Sequence, residues 1–345
     1  MDQDIATQLS LFGLQETRRM AEVATSKSVR ARQVNLVESA HALLSEMPSA
    51  EDLGFLHSGL CQTGLPHMRP ARNHAFWKRQ SGRFTLLVTP GVIDTRSMGG
   101  SGRQPTDEEM ERAYVGVPYG PKARLIMIFL QTEGMKSRSR IITLGPSLSA
   151  FLRSLNLSIS GGPRGTMPAV REQCMRIARC TFTLQWTGAD AAGEHTVISD
   201  TKIVEGLEMW NNGRDDWSGT VELSKRFHEH LREHAVPLDK RGISILSGNS
   251  LGLDLYALFA YRLPRLKREL HLSWTQLREQ IGSECETNKA ISRRVREAMP
   301  GVKLAYPHAR VELTRHGISM RESPPAVPRT MVRGFTSIEG DKKAD

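Results

Sequence analysis

Ser273-Trp-Thr-Gln-Leu-Arg-Glu-Gln-Ile-Gly282 and Thr287-Asn-Lys-Ala-Ile-Ser-Arg-Arg-Val-Arg-Glu-Ala-Met-Pro-Gly301 are the stretches whose reading decides the fold. Ser273 and Gln276 have the spacing of a capping box, which satisfies orphan backbone donors at the start of a helix running to about Ile281. Gly282 and the polar Ser-Glu-Cys-Glu after it make a short turn. A second helix begins near Thr287, and Pro300-Gly301 is expected to close it, because proline supplies no backbone donor. Upstream, Leu251-Gly-Leu-Asp-Leu-Tyr-Ala-Leu-Phe-Ala-Tyr261 is apolar on nearly every side and reads as a buried helix.

On a wheel of 100° per residue, Ile291, Val295 and Ala298 fall together, while Lys289, Arg293 and Arg296 fall opposite. One face packs and the other is cationic. Past the proline, Val302 to Tyr306 and Ala309 to Leu313 alternate as strands about Pro307-His308, and Gly317 turns into Ile318-Ser-Met320. Three helices and a small hairpin in that order describe a winged helix-turn-helix. In such a module the last helix enters the major groove and the hairpin touches an adjacent backbone or minor groove. A solvated basic helix on an ordinary domain is the plainer alternative, and the order of elements argues against it.

The chain has 345 residues, enough for two folded domains with tails. Its net charge of +10 favours polyanionic partners, nucleic acid first and anionic membrane second. Leu125-Ile-Met-Ile-Phe-Leu130, a wholly apolar run, falls far short of the ~20 residues a bilayer requires. The polar N-terminus is unlike a signal peptide. Cys61, Cys174, Cys180 and Cys285 lack C-x-x-C spacing, so neither a disulfide framework nor a zinc ribbon is expected, and a reduced cytoplasm is the simplest home.

In chain order, Gln8-Leu9-Ser10-Leu11-Phe12 sets three apolar teeth in an otherwise unstructured stretch, as a linear docking motif does. A tail that happens to contain leucine and phenylalanine is its alternative. Apolar residues from Val29 to Leu44 predict an amphipathic helix over 26–47, ended by Pro48, with a short helix over 50–57 and an irregular basic connector to Arg79. Arg83 to Thr89 reads as a strand, residues 97–104 as a mobile loop, and Thr106 to Glu109 as another capping box.

A second set of helices and strands, parallel to the first, then follows. Pro121 to Leu130, Pro146 to Leu155 and Thr166 to Arg179 are its helices, and residues 161–165 the turn. Thr181 to Trp186, Thr196 to Ser199 and Ile203 to Leu207 supply strands for a longer wing. Between Lys122 and Arg179 ten basic residues face two acidic ones, which suggests that this module also meets phosphate. Asp215-Asp-Trp217 marks the junction, Thr220 to Leu223 is a strand, and Ser224 to Ala235 a helix. The tail from Ser323-Pro-Pro-Ala-Val-Pro328 onward is expected to be disordered.

The fold class is therefore α+β: two tandem winged-helix domains with a helical N-terminal segment and disordered tails. The expected divisions are a tail over 1–25 with the docking motif, a helical segment and connector over 26–80, winged-helix domains over 81–216 and 217–322, and a tail over 323–345. Base edges fall to Asn288, Lys289, Ser292, Arg293 and Arg296. Lys303, His308 and Arg310 position the wing on phosphates, and Arg164, Arg171 and Arg176 add backbone contacts from the first module.

Catalytic patterns are weak. His230-Leu-Arg-Glu233-His234 fits H-x-x-E-H, a zinc protease motif, but such a site needs a third ligand that the sequence does not single out. His57, Cys61, His67 and His74 match no common zinc spacing. Gly116 to Lys122 lacks P-loop spacing, and no H-E-x-x-H occurs. Neither an enzyme nor a metal or cofactor protein is expected; a rolling-circle nickase fails because Glu229 interrupts His228 and His230.

Leu60-Cys-Gln-Thr-Gly-Leu-Pro66, Val117-Pro-Tyr-Gly-Pro-Lys-Ala-Arg124, Leu255-Tyr256 with Tyr261-Arg262-Leu263, Ser273-Trp-Thr-Gln-Leu277 and Tyr306-Pro307 together resemble the RepA-type replication initiators of Gram-negative plasmids. The likeness spans about Leu60 to Arg321. It implies a cytoplasmic bacterial protein that binds repeated sites, iterons, on double-stranded origin DNA, helps open an adjacent A·T-rich duplex and recruits host initiator and replicative helicase. It also implies a monomer/dimer equilibrium. Gln8 to Phe12 resembles the sliding-clamp-binding motif of bacterial replication proteins. A winged-helix transcriptional repressor is the alternative function.

Overall fold

A computed structural model describes residues 5–23, 27–93, 104–190, 193–209, 219–282 and 285–332. Its N-terminal part is a helical hairpin of α1 (Ile5–Glu22) and α2 (Lys27–Ser45). Gly13 interrupts α1 with φ of +73°, a left-handed conformation that glycine adopts without steric penalty. Leu9, Ala21, Val37 and Ala40 form a small core with Leu304. The region expected to be a disordered tail is therefore helical where it is described, because its leucines find apolar partners on the folded body.

Next come β1 (Leu53–His57), α3 (Ser58–Gln62), β2 (Trp77–Ser81) and β3 (Phe84–Thr89). The helix expected over 50–57 is instead strand β1, and the basic connector contains β2. All five residues of β1 are buried, and burial outweighs local propensity in such a run. Its outer edge is covered by the helix over Gly120–Ser137, α5: Thr132 Oγ1 accepts from the Phe55 amide at 2.9 Å and Gln131 Oε1 from the His57 amide at 2.7 Å. A bare strand edge would otherwise leave those donors open.

The first set of elements is α4 (Asp107–Ala113), α5 (Gly120–Ser137), β4 (Ile141–Thr143), α6 (Leu148–Ser154), α7 (Thr166–Arg179), β5 (Thr181–Asp190), β6 (Gly193–Thr201), β7 (Val204–Met209) and β8 (Gly219–Leu223). Thr106 and Glu109 form the expected capping box on α4. The expected wing is corrected: β5 and β6 join β2 and β3 in a sheet of order β2-β3-β5-β6, while β7 pairs with β8 in a sheet of order β4-β8-β7. Asp215-Asp-Trp217, and all of the loop expected over 97–104 except Gln104, lie outside the described residues.

A linker of α8 (Lys225–His234), β9 (Ala235–Asp239) and α9 (Lys240–Ile245) leads to α10 (Ser250–Arg262), β10 (Leu270–Ser273), α11 (Trp274–Ile281), α12 (Asn288–Ala305), β11 (Val311–Leu313), β12 (Gly317–Met320) and α13 (Arg329–Val332). Strand β9 pairs antiparallel with β1 from Leu53↔Asp239 to His57↔Ala235. The last sheet has the order β10-β12-β11. Setting aside the β5–β6 insertion, α5-β4-α6-α7-β7-β8 and α10-β10-α11-α12-β11-β12 run in the same sequence, with the same strand order in their sheets. One continuous core joins both sets, from Leu53 to Val332.

Helix α12 does not end at Pro300. It continues to Ala305, so Val302 to Ala305, expected as strand, is helical. Proline inside a helix costs about 3 kcal/mol, and burial of Val302, Leu304 and Ala305 beyond it offsets that cost. Nor is the C-terminal segment loose over 323–332, because Val327 and Val332 enter the core; residues 333–345 lie outside the described ones. The fold class is α+β, as the sequence predicts.

Candidate nucleic-acid interface

Ser273 caps α11 through its side chain and Gln276 returns the bond, completing the capping box. Leu277 and Ile281 of α11 pack inward, as do Ile291, Val295 and Ala298 of α12, so the wheel's apolar stripe is the packed face. Thr287 caps α12, and Arg278 donates to the Glu286 carbonyl at 2.7 Å, steadying the end of the turn that enters it. Lys289, Arg293 and Arg296 lie on the exposed face. Packing fixes the helix while its cationic side meets solvent.

The predicted base readers differ in what already holds them. Asn288 Nδ2 donates to Thr275 Oγ1 at 2.9 Å, which ties the start of α12 to α11. Arg293 makes a long pairing with Glu297, 3.9 Å on an exposed surface, and such pairs contribute little. Arg296 is engaged with its own fold: Nε lies 3.4 Å from Ser292 Oγ and Nη2 3.3 Å from the Thr314 carbonyl.

The hairpin expected as a wing is placed differently: it is formed by β11 and β12, and its tip is Thr314-Arg-His316. Lys303 is exposed but belongs to α12, His308 sits in the turn after that helix, and Arg310 precedes β11. Lys303 is thus not a wing residue. Arg315 and His316, exposed at the tip, were missed. The signal was there, since Thr314 to Gly317 is a polar, glycine-ended break between two apolar runs; reading Pro300 as a stop shifted the hairpin.

In the first set, Arg164 and Arg171 are exposed near the start of α7, which packs against α5, α6 and β7 rather than beside α12. Arg176 is a correction. It is 1% exposed, donating to the Val117 carbonyl at 2.9 Å and to Glu172 Oε1 at 2.9 Å, with its guanidinium 5.0 Å from the Tyr119 ring centroid. Gly116 makes room for it, since a Cβ there would meet Arg176 Nη1 at 2.2 Å. Arg176 ties the Val117-Pro-Tyr119 segment to α7 and cannot reach a phosphate.

Of the docking pentapeptide, Leu9 is 9% exposed and belongs to the small core, while Leu11 and Phe12 are 69% and 50% exposed. Gln8 and Ser10 share the same helix.

The histidines of the H-x-x-E-H motif meet a third. His57, at the end of β1, is fully buried, with Nε2 2.7 Å from His230 Nδ1. Its Nδ1 accepts from the Gly59 amide, so Nε2 carries the proton of the neutral ring and donates to His230. The ring centroid of His234 lies 4.3 Å from that of His230. Burial, then the charges of His230 and His234, push the His57 pKa down to about 3. No group of three His, Cys, Asp or Glu side chains is arranged to hold a metal among the described residues. His67, from the other candidate group, is instead bonded to Ser250 Oγ and the Ile281 carbonyl.

A helix with an exposed cationic face, the turn that leads into it and an adjoining hairpin make up the candidate site. Residues 117–276, a little under half of the chain, match the family model described as plasmid encoded RepA protein. A crystal structure of RctB domains 2–3 is similar over 76% of this chain and 94% of that one, with 11% identity and a TM-score of 0.46. One of selenomethionine derivatives of domains 2 and 3 of RctB covers 70% and 83%, with 11% identity and a TM-score of 0.42. Curated proteins offer no match to the chain.

Proposed function

We propose that this chain is a plasmid replication initiator that binds repeated sites on origin DNA, with α12 in the major groove and the β11–β12 hairpin as the wing of a winged helix-turn-helix. The match to the RepA family supports the initiator role. What carries the DNA-binding reading is the exposed cationic face of α12 beside a hairpin held to the same helices. Lys289 and Arg293 read base edges, Asn288 and Ser292 contribute at the same face, and Lys303, His308, Arg310, Arg164 and Arg171 meet phosphates. The β4-α6-α7-β7-β8 set is a second winged module on this reading, supported by its matching order of elements.

The pentapeptide Gln8 to Phe12 recruits the bacterial sliding clamp, with Leu11 and Phe12 as the side chains open to it. Host initiator and helicase are further partners of an initiator, and the protein acts without a chemical step of its own, in a bacterial cytoplasm.

Footprinting on DNA flanking the protein's own gene tests the proposal. Protection of regularly spaced repeats, with hyperreactivity in a neighbouring A·T-rich tract, is the expected result; a single protected operator without strand opening would make the protein a repressor instead.

A further inference from the structure

Three consecutive carbonyls at the wing tip point inward. The Thr314 carbonyl accepts from Arg296 Nη2 at 3.3 Å, that of Arg315 from the Trp274 indole Nε1 at 3.0 Å, and that of His316 from the Trp274 amide at 3.0 Å. The turn is also closed on itself, since Thr314 Oγ1 accepts from the amides of His316 at 3.3 Å and Gly317 at 3.0 Å. Gly317 permits the close approach to β10, where a Cβ would lie 1.9 Å from the Leu272 carbonyl. With its carbonyls given to the helices, the hairpin presents Arg315 and His316 at an exposed apex.

Arg296 occupies the middle of this arrangement. Its guanidinium lies 5.9 Å from the Trp274 ring centroid, and its Nε and Nη2 are directed at Ser292 and Thr314. A guanine is read by two parallel donors of one guanidinium, and Arg296 cannot turn this edge to a base without releasing the wing. We infer that Arg296 is a positioning residue that sets the wing apex against α12, and that Arg315 is the cation which the apex presents to a DNA phosphate. This rests on the reading above that α12 binds duplex DNA. It moves Arg296 from the base-reading set to the scaffold of a second contact arm. Trp274, the first residue of α11, is the other half of that scaffold.

A double-mutant cycle tests it, with labelled duplexes from the region flanking the gene and of random sequence, titrated with full-length protein over a salt series. Arg315→Ala is expected to weaken binding to both duplexes about tenfold and to lower the salt slope by about one. Arg296→Ala should weaken both alike, leave their ratio unchanged, and add nothing further in the Arg296→Ala/Arg315→Ala double variant, because both changes remove one arm. Trp274→Phe, which deletes the indole donor but keeps an aromatic ring and the backbone bond to the His316 carbonyl, should move binding the same way and stands in should Arg296→Ala fail to fold.

Multiplying losses in the double variant, or a falling ratio of specific to random binding in Arg296→Ala alone, would overturn the inference. Arg293→Ala separates that failure from a deeper one. If Arg293→Ala lowers the ratio while the Arg296 and Arg315 losses multiply, only the positioning role falls. If the wild type does not distinguish the duplexes and Arg293→Ala and Arg315→Ala leave binding intact, the DNA-reading role of α12 falls, and this inference with it.

Discussion

Arg124 of α5 and Asp254 of α10 form a two-pronged ion pair, Nε to Oδ1 and Nη2 to Oδ2 both at 2.6 Å, in the interior between the two sets of elements. The guanidinium also donates to the carbonyls of Leu65, Pro66 and Gly120. A buried guanidinium so fully engaged tolerates no loss of its partner. Asp254→Asn is expected to lower unfolding free energy by about 3–5 kcal/mol, measured by urea denaturation, because it strands a buried charge. A loss below about 1 kcal/mol would show that water reaches the pair.

Stability should fall on mild acidification through His57. In the unfolded chain its ring takes a proton near its ordinary value of about 6.5. In the folded protein burial and the neighbouring His230 and His234 hold that step down to about 3. The unfolded state therefore binds more protons between those values, and stability is complete above about pH 7 and is lost as pH falls toward 3. His230 is shifted in the same direction by burial first and His234 next, with Arg226 adding to the shift and Glu233 opposing it. Thermal melts at pH 7 and pH 5 should show a smaller drop for His57→Gln than for wild type; equal drops would place the acid sensitivity elsewhere.

Loss of a base reader and loss of a phosphate contact should look different in binding data. Arg293→Ala is expected to cost about 1–3 kcal/mol on the specific duplex and to relax base preference at one position. Arg171→Ala should weaken specific and random duplexes equally and lower the salt slope by about one. Competition titrations at two salt concentrations check both. Equal losses for Arg293→Ala on the two duplexes would remove it from base recognition.

On the proposed function, clamp binding and intramolecular packing would compete for Leu9. An extended peptide that fills a pocket with all three apolar teeth must withdraw Leu9 from Val37, Ala40 and Leu304, and the left-handed break at Gly13 lets residues 5–12 leave without unwinding the rest of α1. Leu304→Ala is expected to tighten the complex with purified clamp, whereas Leu11→Ser with Phe12→Ser should abolish it, as read by surface-immobilised clamp. Unchanged affinity in Leu304→Ala would mean that the partner takes the helix as it stands.

The helices α7, α10, α11 and α12 were legible because capping signals, apolar content and helical periodicity are local. Strand partners were not: nothing in Leu53 to His57 announces that its mate is Ala235 to Asp239. Long cationic side chains misled in a second way. Arg176 lies on the rim of the stripe, and only a glycine and a carbonyl distant in sequence draw it inward. Pro300 was read as a stop because its cost is local, whereas the packing of Val302, Leu304 and Ala305 that overrides it is tertiary. Misplacing that one boundary moved the wing and hid Arg315.

Pairing of β1 with β9 also bears on how the polypeptide is made. Leu53 leaves the ribosome long before Asp239, its partner in register, so the earlier strand waits through the synthesis of every element of the first set. A domain that closes only on a late segment folds slowly and exposes apolar surface meanwhile. During translation of a nascent chain, the apolar and neutral side chains of β1 are therefore the surface that a ribosome-bound chaperone would shield, and the emergence of β9 is the moment that ends that need.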